Sequence, residues 1–164
     1  PGGAVPAGGS TLIALRPARS TDAGTLGAMM TGAARPWKPL LHSGAEDIAH
    51  VGTMIERGWV TVAADAQGRP RGFMALEAGY VHALFIATHS QRRGIGRALL
   101  GAAQQRRDRL DLWTFEANTP ARRFYRAAGF VEIARGDGSR NDEGLPDIHF
   151  RWDRADASRQ ERRA

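Results

Sequence analysis

Residues 81–100, VHALFIATHSQRRGIGRALL, constrain the fold of this chain more than any other stretch. An apolar run breaks at a polar turn, and the sequence then resumes with the apolar spacing of a helix. The turn contains Gly94 and Gly96, which lack a side chain and so let the backbone approach a ligand closely. Free N–H groups at a helix start also favour an anion. The stretch therefore predicts a strand, a turn and a helix, with a phosphate site where they meet.

The glycine turn alone leaves two interpretations open. It lacks the third glycine of a dinucleotide-binding fingerprint and the Gly-Lys-Ser/Thr of a nucleotide triphosphate loop. An ordinary strand-to-helix turn that requires two glycines is the alternative to a phosphate site. If it is a pyrophosphate site, the expected contacts are Gln91, Arg92, Arg93, Gly94, Ile95, Gly96 and Arg97.

Length and composition favour one globular domain. The 164 residues are 42% hydrophobic, which is enough to bury a core, and no apolar run approaches the length of a membrane span. The chain has no cysteine, which excludes disulfides, thiolate metal sites and a cysteine nucleophile and fits a reducing compartment. We predict a flexible leader at 1–10, a domain at 11–153, a charged tail at 154–164 and a cytoplasmic location.

The net charge of +6 comes almost entirely from arginine, because Lys38 is the only lysine. A basic tail can contact nucleic acid. Here the tail is short, mixed with acidic residues and free of aromatic side chains, so a solvated terminus is the better interpretation. We expect neither a nucleic-acid partner nor a membrane partner.

The pattern along the chain predicts an α/β (α+β) domain with a mixed sheet of about six to seven strands and about four helices. The predicted strands are 11–16, 59–64, 72–78, 81–87, 110–115, 130–134 and 147–152. The predicted helices begin after residue 22, at 45, after the glycine turn and at 119. A turn at 65–70 that contains Gly68 and Pro70 separates the second and third strands, which predicts a hairpin.

A second segment, residues 118–130, changes the interpretation of the turn. It reads NTPARRFYRAAGF, which has the form N-x-x-A-x-x-F-Y-x-x-x-G-F. Together with Q-x-x-G-x-G at 91–96, it closely resembles the GNAT superfamily of N-acetyltransferases. The resemblance covers residues 12–152 in the order of elements and is specific from Phe73 onward.

The resemblance implies a GNAT fold in which the fourth and fifth strands, 81–87 and 110–115, run parallel and splay apart. Acetyl-coenzyme A, the cosubstrate, would lie between them without a metal. Its pantetheine arm would bond to the backbone of Leu84, Phe85 and Ile86 as an added strand does. Asn118 would tie its segment to the coenzyme or to the neighbouring strand, or cap the helix that follows.

The resemblance also implies acetyl transfer to a primary amine by direct attack in a ternary complex. Tyr125 is the candidate general acid near the coenzyme sulfur, since a phenol with an ordinary pKa of about 10 donates a proton at neutral pH. His82 is the candidate base, and strand alternation predicts that it shares a face with Leu84. Glu77 and Glu116 are alternative bases.

The variable parts of the chain are expected to form a pocket for a small-molecule or peptide amine. Its candidate residues are Trp37, His42, Trp59 and Glu143. Transfer of a different acyl group, and a non-catalytic acyl-coenzyme A sensor or partner protein, are the alternative functions. A homodimer is compatible with the resemblance, although the sequence carries no interface signature.

Overall fold

The computed structural model describes residues 4–7, 11–91 and 93–164, which form one eight-stranded mixed sheet with five α-helices. The strands are β1 (Ala4–Ala7), β2 (Thr11–Pro17), β3 (Val60–Ala64), β4 (Pro70–Glu77), β5 (Tyr80–Ile86), β6 (Arg109–Phe115), β7 (Val131–Gly136) and β8 (Asp147–Asp153). The helices are α1 (Ala23–Gly32), α2 (Gly44–Glu56), α3 (Ile95–Arg106), α4 (Thr119–Ala127) and α5 (Arg154–Arg163).

The strand order in the sheet is β1-β2-β3-β4-β5-β6-β8-β7, and two apolar clusters cover its two faces. On one face, Leu99 and Leu100 of α3 pack with Leu110 and Leu112 of β6. On the other face, Leu26 of α1 and residues of α2 pack over β3, β4 and β5. The predicted mixed fold and the β3–β4 hairpin are confirmed.

The sheet opens between β5 and β6. These two strands run parallel and are paired only at Tyr80 and Asp111, where the Asp111 N–H donates to the Gly79 carbonyl at 2.8 Å. Beyond that pair each strand continues without bonding to the other. The predicted splay between the strands at 81–87 and 110–115 is therefore confirmed.

Strand β1 lies in the stretch predicted as a flexible leader, of which residues 1–3 and 8–10 lie outside the described residues. It pairs antiparallel with β2, with Val5 opposite Ile13, so the sheet has one more strand than the seven that the pattern indicates. A four-residue edge strand carries too little alternation to be visible in the sequence. As a result, the splayed pair is the fifth and sixth strand rather than the fourth and fifth.

A β-bulge on β5 changes the direction in which its first side chains point. Val81 pairs with Leu76 and Ala83 with Ala75, which leaves His82 without a partner on β4. Val81 packs in the cluster under α3, whereas Ala83 packs in the cluster under α1 and α2. The simple alternation that placed His82 on the face of Leu84 is therefore wrong, because it assumed an unbroken strand.

The charged tail forms a fifth helix that is docked on the domain. Asp153 caps α5 by accepting from the Ala155 N–H at 3.0 Å. The Arg154 guanidinium donates to the carbonyls of Gln104 at 2.6 Å and Arg107 at 3.1 Å, at the end of α3. A cation is favourable there because these carbonyls have no partner within the helix.

A nearly buried ion pair joins the end of β2 to the turn before α1. Arg16 donates to both carboxylate oxygens of Asp22, at 2.8 and 3.0 Å, and the Arg19 N–H adds a third bond at 2.7 Å. Asp22 is only 8% exposed. The hydrogen bond from Arg16 lowers the pKa of the Asp22 carboxyl below its ordinary value, which makes the ionised form part of the folded structure.

We expect Asp22→Asn to lower the free energy of unfolding at pH 7 by about 2 kcal/mol, because Arg16 loses its charged partner. The stabilisation from a carboxyl with a lowered pKa is present above the unfolded value of about 4 and is lost as the pH falls through the folded value. The difference between variant and wild type should therefore shrink at pH 3. Urea unfolding at both pH values measures this difference in the free energy of unfolding.

Asp108→Asn is the control. Asp108 pairs with Arg154 but is 95% exposed, so the substitution should change the free energy of unfolding little. Equal effects of the two substitutions would contradict the prediction.

Candidate active site

The glycine turn places unbonded donors at the start of α3. Gly94 has a positive φ of 79°, which glycine adopts without strain, and it directly precedes the helix. The first intrahelical bond runs from the Ala98 N–H to the Gly94 carbonyl. The N–H groups of Ile95, Gly96 and Arg97 therefore point out of the helix end, which is suited to an anion.

Open space lies beside this turn. A cleft of about 540 Å³ is lined by Arg71, His89 and Arg93, among others. Asp65 neutralises Arg71 at 2.8 Å, whereas Arg93 and Arg97 are exposed. Gln91 is exposed at the end of the preceding 3₁₀ turn, and Arg92 lies outside the described residues. The turn thus has both the donors and the positive charge expected of a pyrophosphate site.

Packing between helices also requires a glycine at position 96. A Cβ at this position would lie 3.2 Å from Phe124 of α4, so the glycine lets α3 and α4 approach closely. Gly101 lies on the same helix with open space around it.

We expect Gly101→Ala to raise the free energy of unfolding by about 0.5–1 kcal/mol, as alanine is the better helix former. Gly96→Ala should give no such gain, because its methyl group meets the Phe124 ring, and it should also weaken coenzyme A binding. Urea unfolding and calorimetry measure the two effects. An equal gain in stability from both substitutions would show that the Phe124 contact does not constrain Gly96.

The edge of β5 that faces the splay carries free backbone groups. The Ala87 N–H donates to the Arg71 carbonyl at 2.8 Å, and Phe85 lies opposite Phe73 on β4. Bonded and non-bonded pairs alternate in an antiparallel ladder, so Leu84 and Ile86 turn their N–H and C=O groups toward the splay. Phe85 was predicted to contact the pantetheine arm as well, but this register directs its backbone toward β4.

Tyr125 lies on the α3 side of the splay. It packs on the same apolar cluster as Leu84 and Ile86, and its ring contacts Phe130 and Phe150 at centroid distances of 5.6 and 6.2 Å. Burial raises the pKa of the Tyr125 phenol well above its ordinary value. The phenol therefore holds its proton at neutral pH and is available as a donor.

His82 and Glu77 form one hydrogen-bonded pair at the start of the splay. Nε2 of His82 lies 2.9 Å from Oε1 of Glu77. The imidazole stacks on Trp59 with an interplanar angle of 2°, and Tyr80 meets it edge-on at 4.8 Å. Two of the predicted candidate bases and one pocket residue are thus brought together, and the imidazole has a defined orientation.

The remaining predicted residues lie apart from this pair. Glu116 is exposed and its carboxylate lies 3.4 Å from Arg135 of β7. Asn118 accepts from the Ala121 N–H and so caps α4, which is one of its predicted roles. The pocket candidates do not lie together. Trp37 contacts Phe115 at the end of β6, and Glu143 lies in the loop before β8. His42 lies 3.5 Å from Glu46 in the first turn of α2, and both side chains are exposed.

A second histidine–carboxylate pair, absent from the sequence predictions, lies across the splay. Nε2 of His149 is 2.8 Å from Oδ1 of Asp111, and the imidazole stacks on Trp113 with ring centroids 5.1 Å apart. Tyr80 lies beside this pair, and its pKa is raised by burial and by the charges of Asp147 and Asp111. Alternation within LDLWTF and DIHFRW places these side chains on one face of each strand, but only the β6–β8 register shows that they meet.

Comparison with known proteins agrees with this geometry. The family model described as acetyltransferase (GNAT) domain matches residues 45–154, which is more than half of the chain. The chain belongs to the GNAT acetyltransferase family. The resemblance inferred from the two motifs is therefore confirmed, and the matched GNAT domain includes both the splay and the glycine turn.

Individual relatives support the family and the fold. The peptidyl-lysine N-acetyltransferase YiaC of Escherichia coli is 40% identical over 67 residues, which are 40% of this chain and 46% of that protein. The chain thus matches less than half the length of this relative. The solution structure of apo-form YjaB from Escherichia coli superposes with a TM-score of 0.67 at 23% identity, over 85% of this chain and 97% of that one.

A further structure, yncA from Salmonella typhimurium with its cofactor acetyl-CoA, has a TM-score of 0.66 at 17% identity, over 87% of this chain and 94% of that one. At this identity the likeness concerns the fold of the GNAT domain. No helix among the described residues is long and apolar enough to cross a membrane. The cytoplasmic location and the homodimer stay predictions.

Proposed function

We propose that this GNAT domain transfers an acetyl group from acetyl-coenzyme A to a primary amine by direct attack in a ternary complex. The observation that carries the proposal is the splay, in which β5 separates from β6 after Tyr80 and Asp111 and leads into the glycine turn. The free backbone of Leu84 and Ile86 suits a pantetheine arm, and the start of α3 suits a pyrophosphate. The β5 backbone and the start of α3 follow each other along one path that leads from the splay to the helix.

Side chains of this domain supply two of the proton transfers, namely removal of the first proton from the ammonium and protonation of the leaving thiolate. His82, oriented by Glu77 and Trp59, accepts the proton of the acceptor ammonium, and the neutral amine then attacks the thioester carbonyl. As the carbon–sulfur bond breaks, Tyr125 gives its proton to the leaving thiolate and later regains one from solvent, while the attacking nitrogen releases its second proton to solvent and becomes the amide N–H. Glu77 is a positioning residue in this scheme, since it acts through His82. The chain contains no cysteine, so no cysteine acyl-enzyme precedes the attack.

The acceptor class follows from the chemistry of the site and from the relative. A lysine side chain is one candidate, because the E. coli relative is named a peptidyl-lysine N-acetyltransferase. Small amines are the other candidate. Thiol release from acetyl-coenzyme A, followed across amino acids, polyamines, aminoglycosides and lysine peptides, tests the proposal. Acetylated product should form with at least one primary amine. Coenzyme A binding without turnover on any acceptor would favour an acyl-coenzyme A sensor instead.

A further inference from the structure

Tryptophan is concentrated around the splay. Of the four tryptophans, only Trp152 belongs to the core cluster under α3. Trp59 stacks on His82, Trp113 stacks on His149, and Trp37 meets Phe115 with ring centroids 5.7 Å apart. Trp59 also packs against the cluster under α1 and α2, whereas Trp37 and Trp113 belong to neither core cluster.

Trp113 is the most unusual of the three. It lies on β6, between β5 and β8, yet its side chain is 42% exposed. The neighbouring Leu110 and Leu112 are buried on the α3 face. On the face of Trp113, α1 and α2 pack over β3, β4 and β5, and so leave β6 uncovered. A large aromatic side chain on an inner strand gains little stability while it remains in solvent.

The exposed indole is nevertheless held in place. His149 stacks on it with an interplanar angle of 24°, and Asp111 holds His149 at 2.8 Å. Nε of Arg151 donates to the same oxygen of Asp111, also at 2.8 Å. One face of the indole is thus covered by a fixed imidazole. The ring is oriented before any ligand arrives, as in binding sites whose contact residues are supported by a second layer of hydrogen bonds.

The position of the Trp113 ring relative to the reacting amine determines which part of the acceptor the ring would contact. Asp111 pairs with Tyr80 at the base of the splay, and Tyr80 contacts His82. Trp113 lies two residues further along β6, a distance of about 7 Å at the rise of a β-strand. His82 likewise lies two residues beyond Tyr80 on the parallel strand β5, so Trp113 and His82 lie across the splay from each other, and a group that touches Trp113 would lie near an amine that reacts beside His82.

We propose that Trp113 is a specificity-determining residue that stacks on an aromatic group of the acceptor, carried a few bonds from its primary amine. His149 and Asp111 are positioning residues for the indole. The inference rests on the proposed acetyl transfer and adds a preference for aromatic acceptors. A free arylalkylamine and a lysine peptide with a neighbouring aromatic residue share this chemistry.

The test compares matched acceptors. One pair is 3-phenylpropylamine and propylamine, and the other is N-acetyl-Lys-Phe-amide and N-acetyl-Lys-Ala-amide. The values of kcat and KM are determined for each acceptor. Wild type should favour the aromatic member of at least one pair in kcat/KM by roughly tenfold. The pair that shows the preference identifies the acceptor source. Trp113→Ala should abolish the preference through KM, and Trp113→Phe should restore most of it.

Two further variants complete the design. His149→Ala should raise KM for the aromatic acceptor while leaving the unfolding midpoint and the affinity for coenzyme A unchanged, which a purely structural role would not predict. Ile133→Ala is the matched control, because Ile133 on β7 is also 42% exposed and lines a different cavity, beside α5. It should leave the preference for the aromatic acceptor intact.

The outcomes separate this inference from the proposed function. Turnover with the same aromatic preference in wild type and Trp113→Ala, or turnover with no preference in wild type, overturns the role of Trp113 and leaves acetyl transfer standing. If no amine is acetylated, the proposed function fails. Calorimetric binding of the same four amines to the protein saturated with coenzyme A then tests the indole directly. Equal affinities within both pairs would overturn the inference without any turnover.

Discussion

Tyr125→Phe should lower kcat for acetyl transfer by about 10²–10⁴-fold, the range expected when a general acid is removed. The substitution deletes only the hydroxyl, so the ring keeps its contacts with Phe130 and Phe150. Because burial raises the pKa of the phenol, wild-type Tyr125 stays protonated at neutral and mildly alkaline pH, and the deficit of the variant should persist across that range. Thiol release under saturating substrates measures kcat.

The same variant should bind coenzyme A as wild type does, since the backbone of β5 and the start of α3 are untouched. Calorimetry supplies this control, and urea unfolding shows whether the fold is intact. A variant that keeps wild-type kcat would remove Tyr125 from the proton transfer and leave solvent as the proton donor.

His82→Gln should lower kcat/KM for the amine by about 10²–10⁴-fold at neutral pH, because the acceptor ammonium loses its proton acceptor. Glutamine keeps a hydrogen-bonding group opposite Glu77 but cannot take up a proton. The deficit should shrink as the pH approaches the pKa of the acceptor, where the amine is already neutral in solution. Rates measured from neutral to alkaline pH show this convergence.

Glu116→Gln is the matched control for His82→Gln. Glu116 was an alternative base, but its carboxylate lies beside Arg135 rather than beside His82. The Glu116→Gln variant should therefore retain most of the wild-type rate of acetyl transfer. If Glu116→Gln were the slower variant, or if His82→Gln kept a constant deficit at every pH, the base would have to be sought elsewhere.

Local patterns in the sequence predict much of the fold. The glycine turn needs a positive φ and a close approach of the backbone to its neighbours, and its two glycines indicate both. The segment at 118–130 needs a helix cap and a short helix, and adjacent residues supply them as well. The splay follows from the family resemblance, and the single Tyr80–Asp111 pair confirms it.

What the sequence does not show depends on contacts between distant strands. The bulge at His82 is a mismatch between two strands and leaves no local pattern, so the alternation rule failed there. The His149–Asp111 pair joins residues 38 apart, and the uncovered face at Trp113 depends on where α1 and α2 end. These features belong to the proposed acceptor side of the site, for which the sequence alone supported only separate candidates.

Initial rates varied in both substrates test the central claim most directly. Direct attack in a ternary complex requires acetyl-coenzyme A and the amine to be bound together, so double-reciprocal plots at several fixed amine concentrations should intersect. Parallel lines would indicate a covalent acyl-enzyme, and thiol release that does not depend on the amine would indicate hydrolysis. Either result would contradict acetyl transfer by direct attack at the splay.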